Sequence, residues 1–134
     1  MTREDEWIIL QREAVRHGVD PFFLGAIRLV ENGGPGREMG VLSVDAPSFE
    51  AQASVAAKTV RNRLVEWTGN PLETRTVLGS SPFRRIVYAE PWIMWFGRKW
   101  APPGAANDPG NLNAHWTPNM LRIYADVVQR AAWP

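Results

Sequence analysis

The sequence predicts a single, mainly helical domain that spans residues 1–134 and includes one or two short irregular or β-like loop segments. Three observations lead to this fold class. The chain has 134 residues, which suits one domain with a buried core. Its hydrophobic content of 45% and charged content of 22% are typical of a folded globular protein. Apolar residues recur three and four positions apart in several stretches that begin with cap residues and end near glycine or proline.

The sequence contains signals for both ends of the first helix. Thr2 and Asp5 form a capping pattern at its start, and Gly18 ends it. The apolar residues between these ends predict a surface helix with one buried stripe. We expect that stripe to contain Trp7, Ile8, Leu10, Ala14 and Val15.

The second helix is apolar around its whole circumference. Asp20 and Pro21 supply a cap residue and a proline for the first turn, and the helix then runs to Glu31. No side of such a helix faces water at low cost, so we expect other elements to surround it. The chain breaks at once after Glu31 into Asn32-Gly33-Gly34-Pro35-Gly36.

An irregular segment from Arg37 to Pro47 separates the second helix from the third. Residues 39–44 predict a short extended piece, in which Gly40 permits a close backbone approach. A long helix is then expected over residues 48–67, because apolar residues recur there at helical spacing. These residues are Phe49, Ala53, Ala56, Val60, Leu64 and Trp67.

Two more helices are predicted toward the C-terminus. One covers residues 90–100, where Pro91 suits the first turn. The last begins at Thr117-Pro118, and its expected buried residues are Met120, Leu121, Tyr124 and Val128. Between them lies a loop rich in turn residues, from 101 to 110.

Composition and charge exclude several classes of function. The formal net charge of +1 gives no basic stripe, so we expect no nucleic-acid partner. The chain has no cysteine and only two histidines, so we expect no metal site and no cofactor. The N-terminus lacks the pattern of a signal peptide, and no apolar run is long enough to insert into a membrane.

Glu31 is the best candidate for a catalytic residue. The apolar helix delivers its carboxyl group to the edge of a hydrophobic interior, where loss of hydration and the negative end of the helix dipole favour the neutral acid. An acid that keeps its proton can protonate a leaving group, which is the first requirement for cleaving a glycosidic bond. Arg28, three residues earlier, is placed to oppose this by favouring the anion.

Two groups of residues resemble segments of a known family. The segment Leu24-Gly25-Ala26-Ile27-Arg28-Leu29-Val30-Glu31-Asn32-Gly33, followed by Gly40-Val41-Leu42-Ser43, resembles the first two motifs of lysozyme-like lytic transglycosylases. Residues 95–102, 107–109 and 113–116 are similar to the C-terminal region of the phage and prophage members. The resemblance covers most of residues 20–134, whereas its sharpest part is about two dozen residues long, and the family's usual Tyr-Asn-Gly pattern is missing.

The resemblance implies a lysozyme-like α+β fold and cleavage of peptidoglycan glycan strands between MurNAc and GlcNAc. Glu31 would be the general acid and then the base. No second carboxylate would be needed, because the substrate's N-acetyl group and its own 6-hydroxyl replace nucleophile and water. It also implies a phage-encoded protein that is part of the virion or is delivered from the host cytoplasm to the cell wall, with phage tail or other virion proteins as further partners.

Five more residues are candidates for substrate binding. By the resemblance, Ser43 is the polar group beside the acid, unless it is a turn serine, and Tyr88 corresponds to the family's usual tyrosine. Asn107 either reaches the sugar or builds an Asx-turn before Pro109. Trp95 and Trp116 offer flat faces for stacking on sugar rings, and core packing is the other interpretation of each.

Two alternatives to a lytic transglycosylase stay open at this point. A muramidase or glucosaminidase of the same fold would use water, and would need a second carboxylate near Glu31. Candidates for that carboxylate are Glu38, Asp45, Glu50, Glu90 and Asp108. From a different class, a non-catalytic virion or wall-binding module would keep the lysozyme-like core for packing or sugar recognition.

Overall fold

Five α-helices form the described part of a computed structural model, which covers residues 1–33, 37–41, 48–68, 90–105, 108, 110 and 112–130. The helices are α1 (Arg3–His17), α2 (Pro21–Glu31), α3 (Phe49–Thr68), α4 (Glu90–Trp100) and α5 (Trp116–Arg130), and a short 3₁₀ helix (Leu112–His115) precedes α5. The mainly helical class is therefore confirmed, and these residues contain no β-strand.

The predicted ends of α1 are confirmed. The Thr2 hydroxyl accepts a hydrogen bond from the Asp5 backbone N–H, and the Asp5 carboxylate accepts one from the Thr2 backbone N–H, which completes a capping box. At the other end, Gly18 adopts a left-handed conformation with φ of 69° and ends the helix.

The predicted apolar stripe of α1 is wrong at two positions. Ile8 is 60% exposed and Val15 is 79% exposed. The buried face instead contains Glu6, Ile9, Leu10, Glu13 and Ala14. The two carboxylates can occupy this face because each has a cationic partner: Glu6 pairs with Arg28 of α2, and Glu13 with Arg16.

Helix α2 lies at the centre of the fold, as its apolar sequence predicts. It packs against α1, α3 and α5, and Phe23 to Ile27 are buried. Its N-cap, Asp20, accepts a hydrogen bond from the Phe22 backbone N–H and another from the Tyr124 hydroxyl of α5. The cap predicted from Asp20 and Pro21 therefore also ties α2 to the last helix.

The boundaries predicted for α3 and α4 agree closely with the structure. Helix α3 begins at Phe49, one residue after the predicted start, and α4 covers Glu90–Trp100 as predicted. The predicted inner positions of α3 are buried, except that Trp67 lies 40% exposed at its end. There the Trp67 ring contacts Trp92 and Trp95 of α4.

Helix α5 starts one residue before the predicted position. Met120 and Tyr124 are buried as expected, whereas Leu121 and Val128 are only half-buried. The third inner position belongs to Val127, which is 1% exposed. This residue follows Met120 by seven positions and Tyr124 by three, so it shares their face of the helix.

The predicted extended piece over residues 39–44 is described only in part. Met39 lies in a turn, Gly40 and Val41 follow it, and residues 42–44 lie outside the described residues. Among the helices that the structure describes, none combines the length and the apolar character that crossing a bilayer requires.

Candidate active site

Glu31 is the last residue of α2. Asn32 follows it in a left-handed conformation with φ of 45°, and the Asn32 backbone N–H closes the helix on the Arg28 carbonyl oxygen at 2.9 Å. The Glu31 side chain is half-buried. The end of α2 therefore delivers one carboxyl group to the boundary between the core and the surface, as the sequence predicts.

Two indole groups hold the same oxygen of Glu31. Trp100 Nε1 and Trp116 Nε1 each donate a hydrogen bond to Glu31 Oε1 at 2.8 Å. Oε2 receives no described hydrogen bond. The two tryptophans thus fix the orientation of the carboxyl group through one of its two oxygens.

The two tryptophans are positioned by an aromatic core. Phe96 of α4, which is fully buried, stacks on Trp100 with 5.4 Å between ring centroids and lies 5.8 Å from Trp116. Phe23 of α2 packs edge-on against Phe96 at 5.5 Å. The helix that carries Glu31 therefore also supports the rings that bind Glu31.

Gly97 allows α4 to approach the start of α5. A β-carbon at this position would overlap Thr117 Oγ1 and would lie 3.2 Å from the Trp116 ring. The absence of a side chain at Gly97 therefore lets the Trp116 indole lie against α4 and reach Glu31.

The second oxygen of Glu31 lies against Gly40. A β-carbon at Gly40 would overlap Glu31 Oε2, and Gly40 has a φ of +72°, which L-residues rarely adopt. The close backbone approach predicted for Gly40 is therefore confirmed, and the group that it approaches is the carboxyl of Glu31.

Gln52 of α3 fixes the backbone on both sides of Gly40. Its side chain is fully buried, and its Oε1 accepts hydrogen bonds from the backbone N–H groups of Met39 and Val41, each at 3.3 Å. Its Nε2 donates to the Val41 carbonyl oxygen at 3.2 Å. One glutamine thus satisfies three backbone groups and holds the loop against Glu31.

Arg28 does not pair with Glu31, contrary to the placement that the sequence suggests. Its Nε donates to both carboxylate oxygens of Glu6, at 3.1 and 3.3 Å, and its guanidinium lies 5.9 Å from the centre of the Phe49 ring. Arg28 therefore pairs with Glu6 of α1 instead of Glu31. The described hydrogen bonds to Glu31 thus come from neutral indoles rather than from a cation.

Two clefts lie close to Glu31. The first, which we call the α3–α4 cleft, has a volume of about 200 Å³ and is lined by Gly40, Val41, Val55, Thr59, Arg63, Phe96, Lys99 and Trp100. The second, the C-terminal cleft, has a volume of about 540 Å³ and is lined by Val30, Glu31, Asp108, Leu112, Asn113, His115, Trp116 and Asn119. The Glu31 carboxyl group lines the second cleft and contacts Gly40 and Trp100, which line the first.

The structure brings one of the predicted binding residues to Glu31 and places another elsewhere. Trp116 contacts Glu31 directly, although through its N–H group rather than through an exposed ring face. The described contacts of Trp95 are with Trp67 at 5.3 Å, with Trp92 at 5.8 Å and with the Lys99 ammonium at 5.0 Å. Ser43, Tyr88 and Asn107 lie outside the described residues.

Asp108 stabilises the segment that forms one wall of the C-terminal cleft. Its two oxygens accept hydrogen bonds from the backbone N–H groups of Leu112 and Asn113, at 2.9 and 2.8 Å, so it caps the 3₁₀ helix. The Asn113 side chain in turn donates to the Pro102 carbonyl oxygen at 3.0 Å. These contacts hold the loop between α4 and α5 beside Trp116.

Trp100 is the functional residue that sequence reasoning missed. The sequence does contain a signal for it, since Trp100 is the last residue of a predicted helix and follows Phe96 by four positions. An aromatic pair at that spacing indicates that the Trp100 ring packs on Phe96 at the end of the helix. It does not indicate the group to which the indole N–H points.

Comparisons of the chain with protein-family models, with curated proteins and with solved structures find no match.

Proposed function

We propose that this chain cleaves peptidoglycan glycan strands between MurNAc and GlcNAc as a lysozyme-like lytic transglycosylase of phage origin. Glu31 is the general acid of the first step and the base of the second. The observation that carries this proposal is the position of Glu31: its carboxyl group lines the C-terminal cleft and contacts two residues of the α3–α4 cleft, with Oε1 bound by two indole N–H groups and Oε2 receiving no described hydrogen bond.

The reaction uses the proton on Glu31 Oε2. In the first step this proton moves to the glycosidic oxygen, the bond from that oxygen to MurNAc C1 breaks, and the carbonyl oxygen of the MurNAc N-acetyl group bonds to C1. In the second step the MurNAc 6-hydroxyl attacks C1, the acetyl oxygen leaves, and the hydroxyl proton returns to Oε2. The product ends in 1,6-anhydro-MurNAc, and no water is consumed.

The pair of indole donors suits this chemistry. Both N–H groups remain bound to Oε1 whether Oε2 is protonated or ionised, so the carboxyl group keeps its orientation between the two steps. The aromatic core around Phe96 restricts movement of both indoles. The carboxyl group is therefore oriented before substrate binds, which supports a role in proton transfer.

The positions of two candidate second carboxylates, Asp108 and Glu50, favour a transglycosylase over a hydrolase, whereas Asp45 lies outside the described residues. A glycosidase that activates water places a second carboxylate about 5–10 Å from the acid. Asp108 also lines the C-terminal cleft, but both of its oxygens cap the 3₁₀ helix. Glu50 is 61% exposed in its side chain and lies 3.8 Å from Arg12. Within the described ranges, Glu31 and Asp108 are the only carboxylates that line either cleft.

The decisive experiment replaces Glu31 by glutamine. The E31Q variant keeps the size of the side chain and its Oε1 acceptor but has no acidic proton, so we expect it to fold normally and to lose lysis of chloroform-treated Gram-negative cells. E50Q, on the exposed surface of α3, is the matched control and should lyse like the wild type. Unchanged lysis by E31Q would refute the acid assignment.

Product analysis separates the possible reaction types. Mass spectrometry of digested cell wall should find anhydro-MurNAc ends, which are lighter than reducing ends by one water. Reducing ends instead would identify a hydrolytic muramidase or glucosaminidase. Binding to cell wall with no new ends of either kind would identify a non-catalytic wall-binding module.

A further inference from the structure

The two clefts beside Glu31 differ in charge. The α3–α4 cleft contains two cationic side chains, Arg63 and Lys99, and none of its described lining residues is acidic. The C-terminal cleft has the carboxyl groups of Glu31 and Asp108 and no lysine or arginine among its described lining residues. A sugar polymer that occupies both clefts would therefore meet cationic side chains in the α3–α4 cleft only.

Lys99 supplies a positive charge that no described carboxylate neutralises. Its ammonium group lies over the Trp95 ring, 5.0 Å from the ring centre, and none of the described salt bridges includes it. Stacking on an aromatic face positions an ammonium group without neutralising its charge. Trp95 therefore holds Lys99 at the rim of the cleft, where a bound anion can reach it.

Arg63 is the second cation of this cleft, and only one of its three nitrogens donates a described hydrogen bond. Its Nη1 donates to both oxygens of Glu66, at 3.1 and 3.0 Å, and these are its described hydrogen bonds. A guanidinium group has five N–H donors on three nitrogens, so Nη2 and Nε remain to bind a second acceptor. Glu66 therefore orients the guanidinium group and leaves the donors on Nη2 and Nε for a second acceptor.

We infer that the α3–α4 cleft binds a carboxylate carried by a muramic acid residue of the substrate, through Lys99 and Arg63. This inference rests on the proposed function, which supplies the glycan. Two carboxylate sources share this chemistry: the peptide attached to the lactyl group, and the lactyl carboxylate itself when no peptide is attached. A GlcNAc residue has no carboxylate, so the α3–α4 cleft selects muramic acid over a neutral sugar.

Binding to purified cell-wall sacculi tests the inference independently of catalysis. The probe is the E31Q variant, which does not degrade the sacculi, and its binding is measured by co-sedimentation. It is applied to intact sacculi and to sacculi whose carboxylates are converted to amides with carbodiimide and ammonia. Soluble glycan strands released by an amidase, which carry free lactyl carboxylates and no peptides, are added as competitors. The test variant adds R63Q and K99Q to E31Q. The control adds K58Q and R122Q, which change the net charge equally at two exposed positions.

The expected result is binding about tenfold tighter to intact than to amidated sacculi, because two partly exposed ion pairs contribute roughly 0.7 kcal/mol each. This preference should disappear when Arg63 and Lys99 are replaced and should persist in the control. Amidase-released strands that displace E31Q from intact sacculi show that a free lactyl carboxylate suffices as the ligand, and strands that fail to displace it identify the peptide carboxylates.

The inference is overturned if E31Q binds amidated and intact sacculi equally, or if the preference survives loss of both cations. The same preparations, digested by the wild-type protein, test the proposed function separately. Absence of new glycan ends in every preparation would refute cleavage while leaving the binding result valid.

Discussion

The indole Nε1 of Trp100 donates a hydrogen bond to Glu31 Oε1 at 2.8 Å, although 69 residues separate the two positions in the sequence. The bond joins the C-terminal ends of two helices, α2 and α4, each of which ends at the residue concerned. The candidate acid is therefore oriented by tertiary packing rather than by its own loop.

Replacing Trp100 by phenylalanine should lower kcat more than it changes KM. The substitution keeps an aromatic ring against Phe96 but removes the N–H donor, so Glu31 is held by Trp116 alone. Negative charge develops on the carboxyl group as Glu31 gives up its proton in the first step. A hydrogen bond to a charged group contributes about 1.5–3 kcal/mol, which corresponds to roughly 10- to 100-fold in rate. Steady-state kinetics on soluble glycan strands would measure this change.

The control for W100F is W67F, which removes an indole N–H from the partly exposed ring at the end of α3. It should leave kcat within about twofold of wild type, because Trp67 contacts other aromatic rings of α4 rather than Glu31. Equal effects of the two substitutions would show that Trp100 contributes only to packing.

Replacing Gly40 by alanine should displace the Glu31 carboxyl group. The new methyl group would overlap Oε2, and a misplacement of about 1 Å at a reacting group costs on the order of 100-fold in rate. Gly104 gives a matched control, since its φ of +78° imposes the same backbone strain and no atom lies within 4 Å of an added β-carbon. Backbone strain should cost each variant about 1 kcal/mol of stability. G40A should lose more than G104A because of the overlap with Glu31, and only G40A should lose activity.

Replacing Gln52 by leucine should loosen the loop that contains Gly40. Three buried backbone groups of Met39 and Val41 would lose their partners, with an expected loss of roughly 3 kcal/mol in the free energy of unfolding. Urea unfolding measures this loss, and trypsin should cleave after the exposed Arg37 faster than in wild type. Q11L, on the exposed face of α1, should change neither quantity.

The stability that Asp5 contributes should depend on pH in a defined direction. Hydrogen bonds from the Thr2 backbone N–H and the Thr2 side chain hold the pKa of Asp5 below its ordinary value of 3.8. A folded-state pKa below the unfolded one means that the contribution is present above about pH 4 and is lost as the pH falls through the folded value.

Comparison of wild type with D5N therefore tests the capping box. The difference in their free energies of unfolding should be constant between about pH 5 and pH 7 and should shrink toward about pH 3. A difference that grows as the pH falls would contradict the assigned direction. Glu4 is exposed in the same first turn, so E4Q serves as the control for the helix dipole.

Much of the helical framework could be predicted from the sequence because its signals are local. Asp20 with Pro21 marks one helix start, and Gly18 marks one helix end, through capping and backbone conformation that involve only neighbouring residues. The inner face of α1 could not be predicted in the same way. Glu6 is buried because Arg28 of α2 pairs with it. The spacing of apolar residues along α1 contains no information about a partner on another helix.

The residues of the candidate site also differ in whether the sequence alone identifies them. Glu31 and Gly40 are recognisable from the sequence, since one ends an apolar helix and the other is a glycine in the loop that follows. The roles of Trp100 and Trp116 are not, because the direction of an indole N–H depends on how Phe96 and Gly97 pack α4 against α5. Side-chain orientation across helices is a property of the assembled core.

The order of the residues around Glu31 has a consequence for biosynthesis. The acid is translated early, whereas its two donors come 69 and 85 residues later. A ribosome-bound nascent chain that ends before Trp100 carries the acid without either donor. The orientation of the Glu31 carboxyl group is therefore acquired only when the last two helices emerge and dock against α2.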